Sequence, residues 1–278
     1  MSFSPEWLAL REPVDHRSIA KDLRVRVAAH VSSASPIRIM DMGCGSGSNL
    51  RALADHLGPE QRWTLVDWDE NLLAHARKAL SSWGEDAHDH DGALVIRRGA
   101  KRIEVAFERA DLARNVANAL ARPLDLVTAA AFFDLVSEDW MKGFAAALAE
   151  RKTPLYTTLT YNGLERWSPP HEADKAMLQA FHAHQHSDKG FGPAAGPDAA
   201  DALARSLSNN GFEVAQWPSP WVMDGADAKL MSELAHGAAG AVRETGLVRD
   251  SDAASWLDAR RNAAGCEIGH IDIFAVMR

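Results

Sequence analysis

Two cysteines in 278 residues, Cys44 and Cys266, are too few for a disulfide framework, and their scarcity fits a reducing cytoplasm. No apolar run approaches the ~18–20 residues needed to span a bilayer, so no membrane partner is expected. Glu6, Arg11, Glu12 and Asp15 stand where a secretory leader would need an apolar core, so export is not expected either. Positive charge is also short. Thirty Lys and Arg against 38 Asp and Glu leave a formal net charge of −8, whereas a surface that grips many phosphates needs a basic excess, so nucleic acid is not the expected partner. The one basic cluster, Arg11, Arg17, Lys21, Arg24, Arg26 and Arg38, is interleaved with Glu12, Asp15 and Asp22 and reads as a solvated helix face. Internal repeats and low-complexity tracts are lacking too.

What is present is an alternating pattern of strands and helices. Residues 15–31 place Ile19, Leu23 and Val27 at helical spacing, with Asp15 as N-cap. "PIRIMDM" reads as a strand, "NLRALADHL" as a helix ending at Gly58-Pro59, "RWTLVD" as a second strand and "ENLLAHARKALSSW" as a second helix. This β-α-β-α order argues for parallel strands covered by helices. Residues 93–112 read as a hairpin about "RRGAKR" whose second arm enters the main sheet. A helix near 111–121, a strand at 124–131, a helix at 137–151 started by Ser137, and a strand at 153–163 continue the pattern. Residues 164–198 interrupt it with a helical middle, 172–185, between Pro- and Gly-rich ends, as an insertion or lid would. A helix at 198–209 and the strand "GFEVAQW" resume it. A second helical insertion spans 226–263, and "CEIGHIDIFAVMR" closes the chain as a strand.

The chemistry-bearing stretch is "IRIMDMGCGSGSNLRAL", residues 37–53, where Gly43, Gly45 and Gly47 alternate between a strand and a helix. Glycine costs roughly 0.5–1 kcal/mol in regular structure relative to alanine, so three in so short a span need a reason. A tight strand-to-helix turn without a ligand is one reading. A dinucleotide fingerprint G-x-G-x-x-G/A is another, imperfect here because Ser48 takes the third small position. The third is G-x-G-x-G preceded by the acidic Asp41. At the end of the next strand, Asp67 is placed to accept hydrogen bonds from ribose hydroxyls, and Trp68 to cover an adenine face. Helix N-cap and core aromatic are the plainer alternatives for these two.

Taken together, "IMDMGCGSGSN" (39–49), "LVDWDENLL" (65–73), "VAFERADL" (105–112) and "LDLVTAAAFFDLV" (124–136) resemble, in order and approximate spacing, the class I S-adenosylmethionine (SAM)-dependent methyltransferases. The resemblance covers about residues 35–162. It implies a doubly wound, mostly parallel Rossmann-like α/β sheet, with the helical insertions forming a cap. It also implies SAM as cofactor: Asp41, Gly43 and Gly45 would border its methionine end, Asp67 would hold the ribose beside Trp68, Asp111 and Leu112 would meet the adenine, and Ala129 and Ala130 would lie beside the methionine. SAM has no pyrophosphate, so the loop need not be a phosphate cradle, and a helix N-terminus favours its carboxylate.

Methyl transfer needs an aligned nucleophile and, for some acceptors, a base, so no universal catalytic residue is expected. Candidates lie beyond the strand ends, where α/β sheets bind ligands. Asp134 could orient an amine, act as base or cap a helix. Tyr161, with Asn162 and Trp167, follows a strand end. The lid carries His182, His184, His186, Asp188 and Lys189, with His184 as its candidate base and residues 171–192 as its mobile part. His182 and His186 stand four apart, but without a third well-placed ligand no metal is expected. Trp217 and Trp221 are either core or walls of a substrate pocket. The organisation read from sequence is an N-terminal helical segment (1–34), a SAM-binding core (35–163), an insertion (164–198) and a C-terminal part completing the core (199–278). The expected function is methyl transfer to an O or N of a small-molecule acceptor. A protein or RNA methyltransferase, a non-catalytic SAM-binding protein and a nucleotide-dependent oxidoreductase are the alternatives.

Overall fold

A computed structural model describes residues 3–278. Its organising strand is β1 (Ile37–Met42), almost wholly buried, as a parallel strand covered on both faces must be. β2 (Glu60–Asp67) and β6 (Leu126–Ala130) flank it, both parallel. β5 (Lys101–Arg109) lies parallel outside β2 and is the second arm of a hairpin with β4 (Ala93–Arg98), to which β3 (Asp86–His90) adds a short edge strand. On the other side come β7 (Leu155–Ser168) and the antiparallel β10 (Gly265–Met277), which in turn pairs with β8 (Phe212–Pro218) and the three-residue β9 (Trp221–Met223). Among the described residues these form one sheet in the order β3-β4-β5-β2-β1-β6-β7-β10-β8, with β9 beside β10.

Helices cover both faces. One face is packed by α2 (Lys21–His30), α3 (Ser48–Leu53) and α4 (Glu70–Trp83), whose Leu72, Leu73, Ala76 and Leu80 are buried. The other face is packed by α5 (Leu112–Ala119), α6 (Glu138–Arg151) and α8 (Ala199–Asn209). Ser137 caps α6 by accepting the Trp140 N–H at 3.2 Å, worth about 1 kcal/mol. A third apolar cluster lies beyond the strand ends. There α7 (Asp174–Gln185), α9 (Ala228–Thr245) and α10 (Asp250–Arg260) pack Met177, Leu230, Met231 and Trp256 around Trp167 and Cys266, on the long ends of β7 and β10.

Beyond the unanticipated short strands β3 and β9, two elements differ from the sequence reading. β7 runs unbroken to Ser168, so the chain leaves the sheet later than Gly163. The larger difference is at the N-terminus. Instead of one helix over 15–31 there are two, α1 (Pro5–Ser18) and α2, separated at Ile19–Ala20. Asp15 is no N-cap; it is buried within α1 and paired with Arg11 through Arg11 Nε–Oδ2 at 2.9 Å. Ser4 caps α1 instead, accepting the Trp7 N–H at 3.1 Å, and Pro5 takes the first helical position, where its missing N–H costs nothing. α1 escapes detection because Arg11, Asp15 and His16 interleave with its inward Trp7, Leu10 and Val14 and dilute the apolar stripe.

Candidate functional site

The strand ends of β1, β2, β5 and β6 open on one cavity of about 380 Å3. Gly43, Gly45 and Gly47 all adopt the left-handed conformation, at φ +61°, +52° and +74°, which side chains other than glycine rarely tolerate. At Gly43 space is short as well, since a Cβ would stand 2.7 Å from the Phe132 ring. Several loop N–H groups are already engaged. Cys44 N donates to Val66 O, Gly47 N to Cys44 O, and Gly45 N to Asp67 Oδ2 at 2.9 Å. Asp67 Oδ1 accepts from Asp69 N at 3.0 Å, which fixes the carboxylate at the cavity wall. Trp68 beside it is 61% exposed, its ring backed by the Arg109 guanidinium at 4.6 Å. Asp41 is wholly buried at the floor. Asn49 donates to its Oδ1 at 2.7 Å, and its Oδ2 has no partner. Burial, offset in part by Asn49 and reinforced by Asp67, pushes the Asp41 carboxyl up to about 7.

A second cavity of about 450 Å3 adjoins the first, and Arg11, Ala131, Leu135, Leu159 and Lys189 line both. The rings of Trp7, Tyr161, Trp167, Phe181 and Trp221 form its walls. At the junction Ala131 and Leu159 hold positive φ, +49° and +57°, conformations that cost about 1–3 kcal/mol and gather at functional sites. Leu159 is held there by its N–H donating to Asp272 Oδ1 at 2.8 Å. The same carboxylate accepts from Ala20 N at the α1–α2 break and from Ser219 Oγ. One buried side chain thus ties the roof helix, the β7 distortion and the β8–β9 turn together. Asp134 lines the second cavity with a buried Oδ1 that has no partner, and burial pushes its carboxyl up to about 6 against the opposing pull of its own backbone N–H and Arg11.

A family model described as a methyltransferase domain matches residues 39–153. Residues 39–153 carry a methyltransferase domain. A 65-residue stretch is 45% identical to the biotin biosynthesis bifunctional protein BioCD of Bordetella avium, covering 23% of this chain and only 14% of that protein's length. Among solved structures, a cyclopropane-fatty-acyl-phospholipid synthase-like protein from Lactobacillus casei superposes with a TM-score of 0.55 at 14% identity, over 100% of this chain and 95% of that one. The cyclopropane synthase MmaA2 from Mycobacterium tuberculosis gives 0.50 at 13% identity, over 98% and 94%. At such identities the likeness is one of fold.

In this methyltransferase domain, Asp41, Gly43, Gly45, Asp67, Trp68, Asp111, Leu112 and Ala130 line the first cavity together. Ala129 does not. It is buried within β6, between Met42 of β1 and Thr157 of β7, one residue short of the opening. Asp134, Tyr161 and His184 line the second cavity. Tyr161 hydrogen-bonds through its hydroxyl to His182 Nε2 at 3.0 Å, while His184 Nε2 meets Glu244 at 3.1 Å and lies at the rim. His186 bonds Ala194 O. Trp221 is a cavity wall, whereas Trp217 is partly exposed under the Arg26 guanidinium. Residues 174–185 are a packed wall helix, and Lys189, Gly190 and Phe191 beyond it reach the first cavity. Missed entirely were Trp7, Arg11 and Asp15 of the roof, Glu165, and His270 and Asp272 of β10. The available signal was weak: alternate polar residues in "GHIDIF", unusual for a central strand.

The donor set of the first cavity suits a cationic, nucleoside-bearing cofactor. The unpartnered Asp41 Oδ2 and the fixed Asp67 carboxylate line it with acceptors, which suit hydroxyls and a cationic group and oppose phosphates. The engaged loop N–H groups leave a poor phosphate cradle. No helix among the described residues is long and apolar enough to cross a membrane.

Proposed function

We propose that this chain is a SAM-dependent methyltransferase acting on an O or N nucleophile of a small-molecule acceptor. The carrying observation is the pair of contiguous cavities, one lined by Asp41 with its unpartnered Oδ2 and the other by Asp134 with its unpartnered Oδ1, meeting at the strained Ala131 and Leu159. Bound SAM supplies an electrophilic methyl on a sulfonium, and the protein's task is to orient and deprotonate. Asp67 holds ribose hydroxyls and Trp68 covers the base. Asp41 answers the cofactor's positive charge, and Asp111 and Leu112 border the adenine. Across the junction Asp134 takes the proton of the acceptor, its pKa near 6 leaving it ionised at neutral pH yet basic enough to act. Tyr161 and His184 supply polar wall contacts. The acidic net charge supports a small molecule rather than nucleic acid, and the sparse cysteine usage supports a cytoplasmic setting.

The test is a thermal-shift panel with SAM, S-adenosylhomocysteine, NAD and NADP, since a ligand that binds only the native state raises the melting temperature. SAM and S-adenosylhomocysteine should stabilise the protein, and Asp67→Ala should weaken both by roughly ten- to a hundredfold through loss of charge-assisted hydrogen bonds worth ~1.5–3 kcal/mol. Stabilisation by NAD and not by SAM would overturn the reading.

A further inference from the structure

The second cavity carries more information than its position beside the first. Its walls are ring faces, Trp7 from α1, Tyr161 and Trp167 from β7, Phe181 from α7 and Trp221 from β9. Besides the exposed Glu233 of α9, two half-buried carboxyl groups line it, Asp134 after β6 and Glu165 on β7. Neither is paired with a basic side chain: the hydrogen-bond partner of Glu165 is Trp167 Nε1 at 2.6 Å, and Asp134 Oδ1 has none. The cations that line the cavity are engaged elsewhere. Arg11 is held bidentately by Asp15 and lies over the Trp221 ring at 4.9 Å, while Lys189 Nζ donates to His184 O and Ser187 Oγ. His270, buried between Trp221 and Tyr161, adds no positive charge, because burial and Arg11 push its imidazole down to about 3. The Tyr161 hydroxyl is pushed up chiefly by burial, with Glu165 and Asp134 adding to the shift.

We propose that the second cavity takes an organic ammonium ion on an aryl body, held by ring faces and by the Asp134 and Glu165 carboxylates. Aromatic faces attract a cation through their quadrupole, and do so most strongly where water is excluded. Two carboxylates lacking basic partners gain from a cation and repel a carboxylate or phosphate ester, which makes the same pair a selection against acidic acceptors. The apolar body is placed by Leu234, Ala238 and Ile268 at the far end. The proposal rests on the methyltransferase reading only in making this amine the methyl acceptor. In that role the ammonium gives its proton to Asp134, the freed nitrogen lone pair forms the N–CH3 bond, and the S–CH3 bond breaks with its electron pair remaining on sulfur.

The test separates binding from turnover by using a probe that cannot be methylated. Phenethyltrimethylammonium, 2-phenylethanol and 3-phenylpropionate are titrated into the full chain by tryptophan fluorescence, with and without S-adenosylhomocysteine, whose own affinity is measured by calorimetry. The quaternary ammonium should bind at least tenfold tighter than the alcohol, with the carboxylate weakest. Glu165→Gln, which keeps an oxygen for Trp167 Nε1 but removes the charge, should cost three- to tenfold for the ammonium and leave the alcohol unchanged. Trp7→Ala on the roof should weaken the ammonium in the same range, and serves should Glu165→Gln fail to fold. The amine proposal is overturned if the alcohol or carboxylate binds as tightly as the ammonium, or if protein that binds S-adenosylhomocysteine binds no ammonium. Ammonium binding in protein that ignores S-adenosylhomocysteine would uphold the site and overturn the methyltransferase reading instead.

Discussion

The first cavity is lined mainly by residues gathered in four stretches of chain under α1, the ends of β1 with the glycine loop, of β2 with Asp67 to Asp69, of β5 and of β6. The second draws on α1, the β6 end, β7, α7, β9, α9 and β10, segments separated by up to the whole length of the chain. Their materials differ accordingly. Backbone geometry shapes the first, through left-handed glycines and a carboxylate clamped by two N–H groups. Side chains shape the second, as ring faces and isolated acids that depend on helices packing correctly over the strand ends. A cofactor common to many reactions suits the first kind of construction, and an acceptor particular to one suits the second.

The sharpest way to separate the two is at Asp134. Asp134→Asn should lower turnover by ~10²–10⁴-fold, the usual weight of a general base, while S-adenosylhomocysteine affinity stays within about twofold. Because the Asp134 pKa is raised to about 6, chiefly by burial, its basic form is lost as pH falls through that value. The wild-type kcat/KM should therefore decline on the acid side of about 6, and the residual activity of the variant should not show that step. Equal loss of cofactor binding in the variant would mean that the carboxylate organises the junction rather than serving the acceptor.

The converse experiment is Gly43→Val. The left-handed φ and the 2.7 Å approach of a Cβ to Phe132 both oppose a side chain there. Cofactor affinity should fall about a hundredfold or more, and phenethyltrimethylammonium binding should persist in folded protein. Circular dichroism checks the folding, and simultaneous loss of both ligands would show that the glycine loop supports the second cavity too.

This contrast also explains what the amino-acid sequence disclosed. Alternating glycines, a carboxylate at a strand end and an acidic residue before the loop are local signals, and each has a short-range physical cause that spacing alone displays. The sheet followed from the β-α alternation for the same reason. The roof helix did not, because its functional face is polar and Pro13 falls inside it, so periodicity pointed to a helix starting ten residues late. Nor did Glu165, His270 or Asp272, each an ordinary polar residue until β7 and β10 pair and bring them under α1. Ala129 was misplaced by a single residue, which in a strand is enough to turn a side chain from the opening to the core.

Asp41 allows a finer cut, within the first cavity alone. Its folded-state pKa, raised to about 7 mainly by burial, lies above the ordinary 3.8 of an aspartate. The native protein therefore holds this proton more tightly than the unfolded chain, and the stability so gained is fully present below pH ~4 and lost as pH rises through about 7. Asp41→Asn should match the wild-type melting temperature at pH 4 and exceed it by several degrees at pH 8, while S-adenosylhomocysteine affinity falls roughly tenfold for want of the Oδ2 acceptor. A variant no more stable at pH 8 would mean that Asn49 fully compensates the buried charge.

The smallest expected effect concerns the roof that both cavities share. Arg17, near the end of α1, forms a bidentate pair with Asp227 and donates to Val222 O at 3.3 Å, fastening the helix to the β9 side of the second cavity. The arginine side chain is 46% exposed, and exposed pairs contribute about 0.2–1 kcal/mol. Arg17→Ala should lower the melting temperature by no more than about 2–4 °C. α1 has firmer anchors nearer the glycine loop, where Arg51 pairs with Glu12 at 2.6 Å and His16 meets Ser48 Oγ at 2.9 Å. Those anchors remain in the variant, so S-adenosylhomocysteine affinity should be unchanged, and the consequence should fall on the acceptor side as a modest rise in the dissociation constant of the ammonium probe. Isothermal titration of both ligands against the same preparation decides it. Equal weakening of both would show that α1 moves as one rigid cover, and that the two cavities, however differently built, close together.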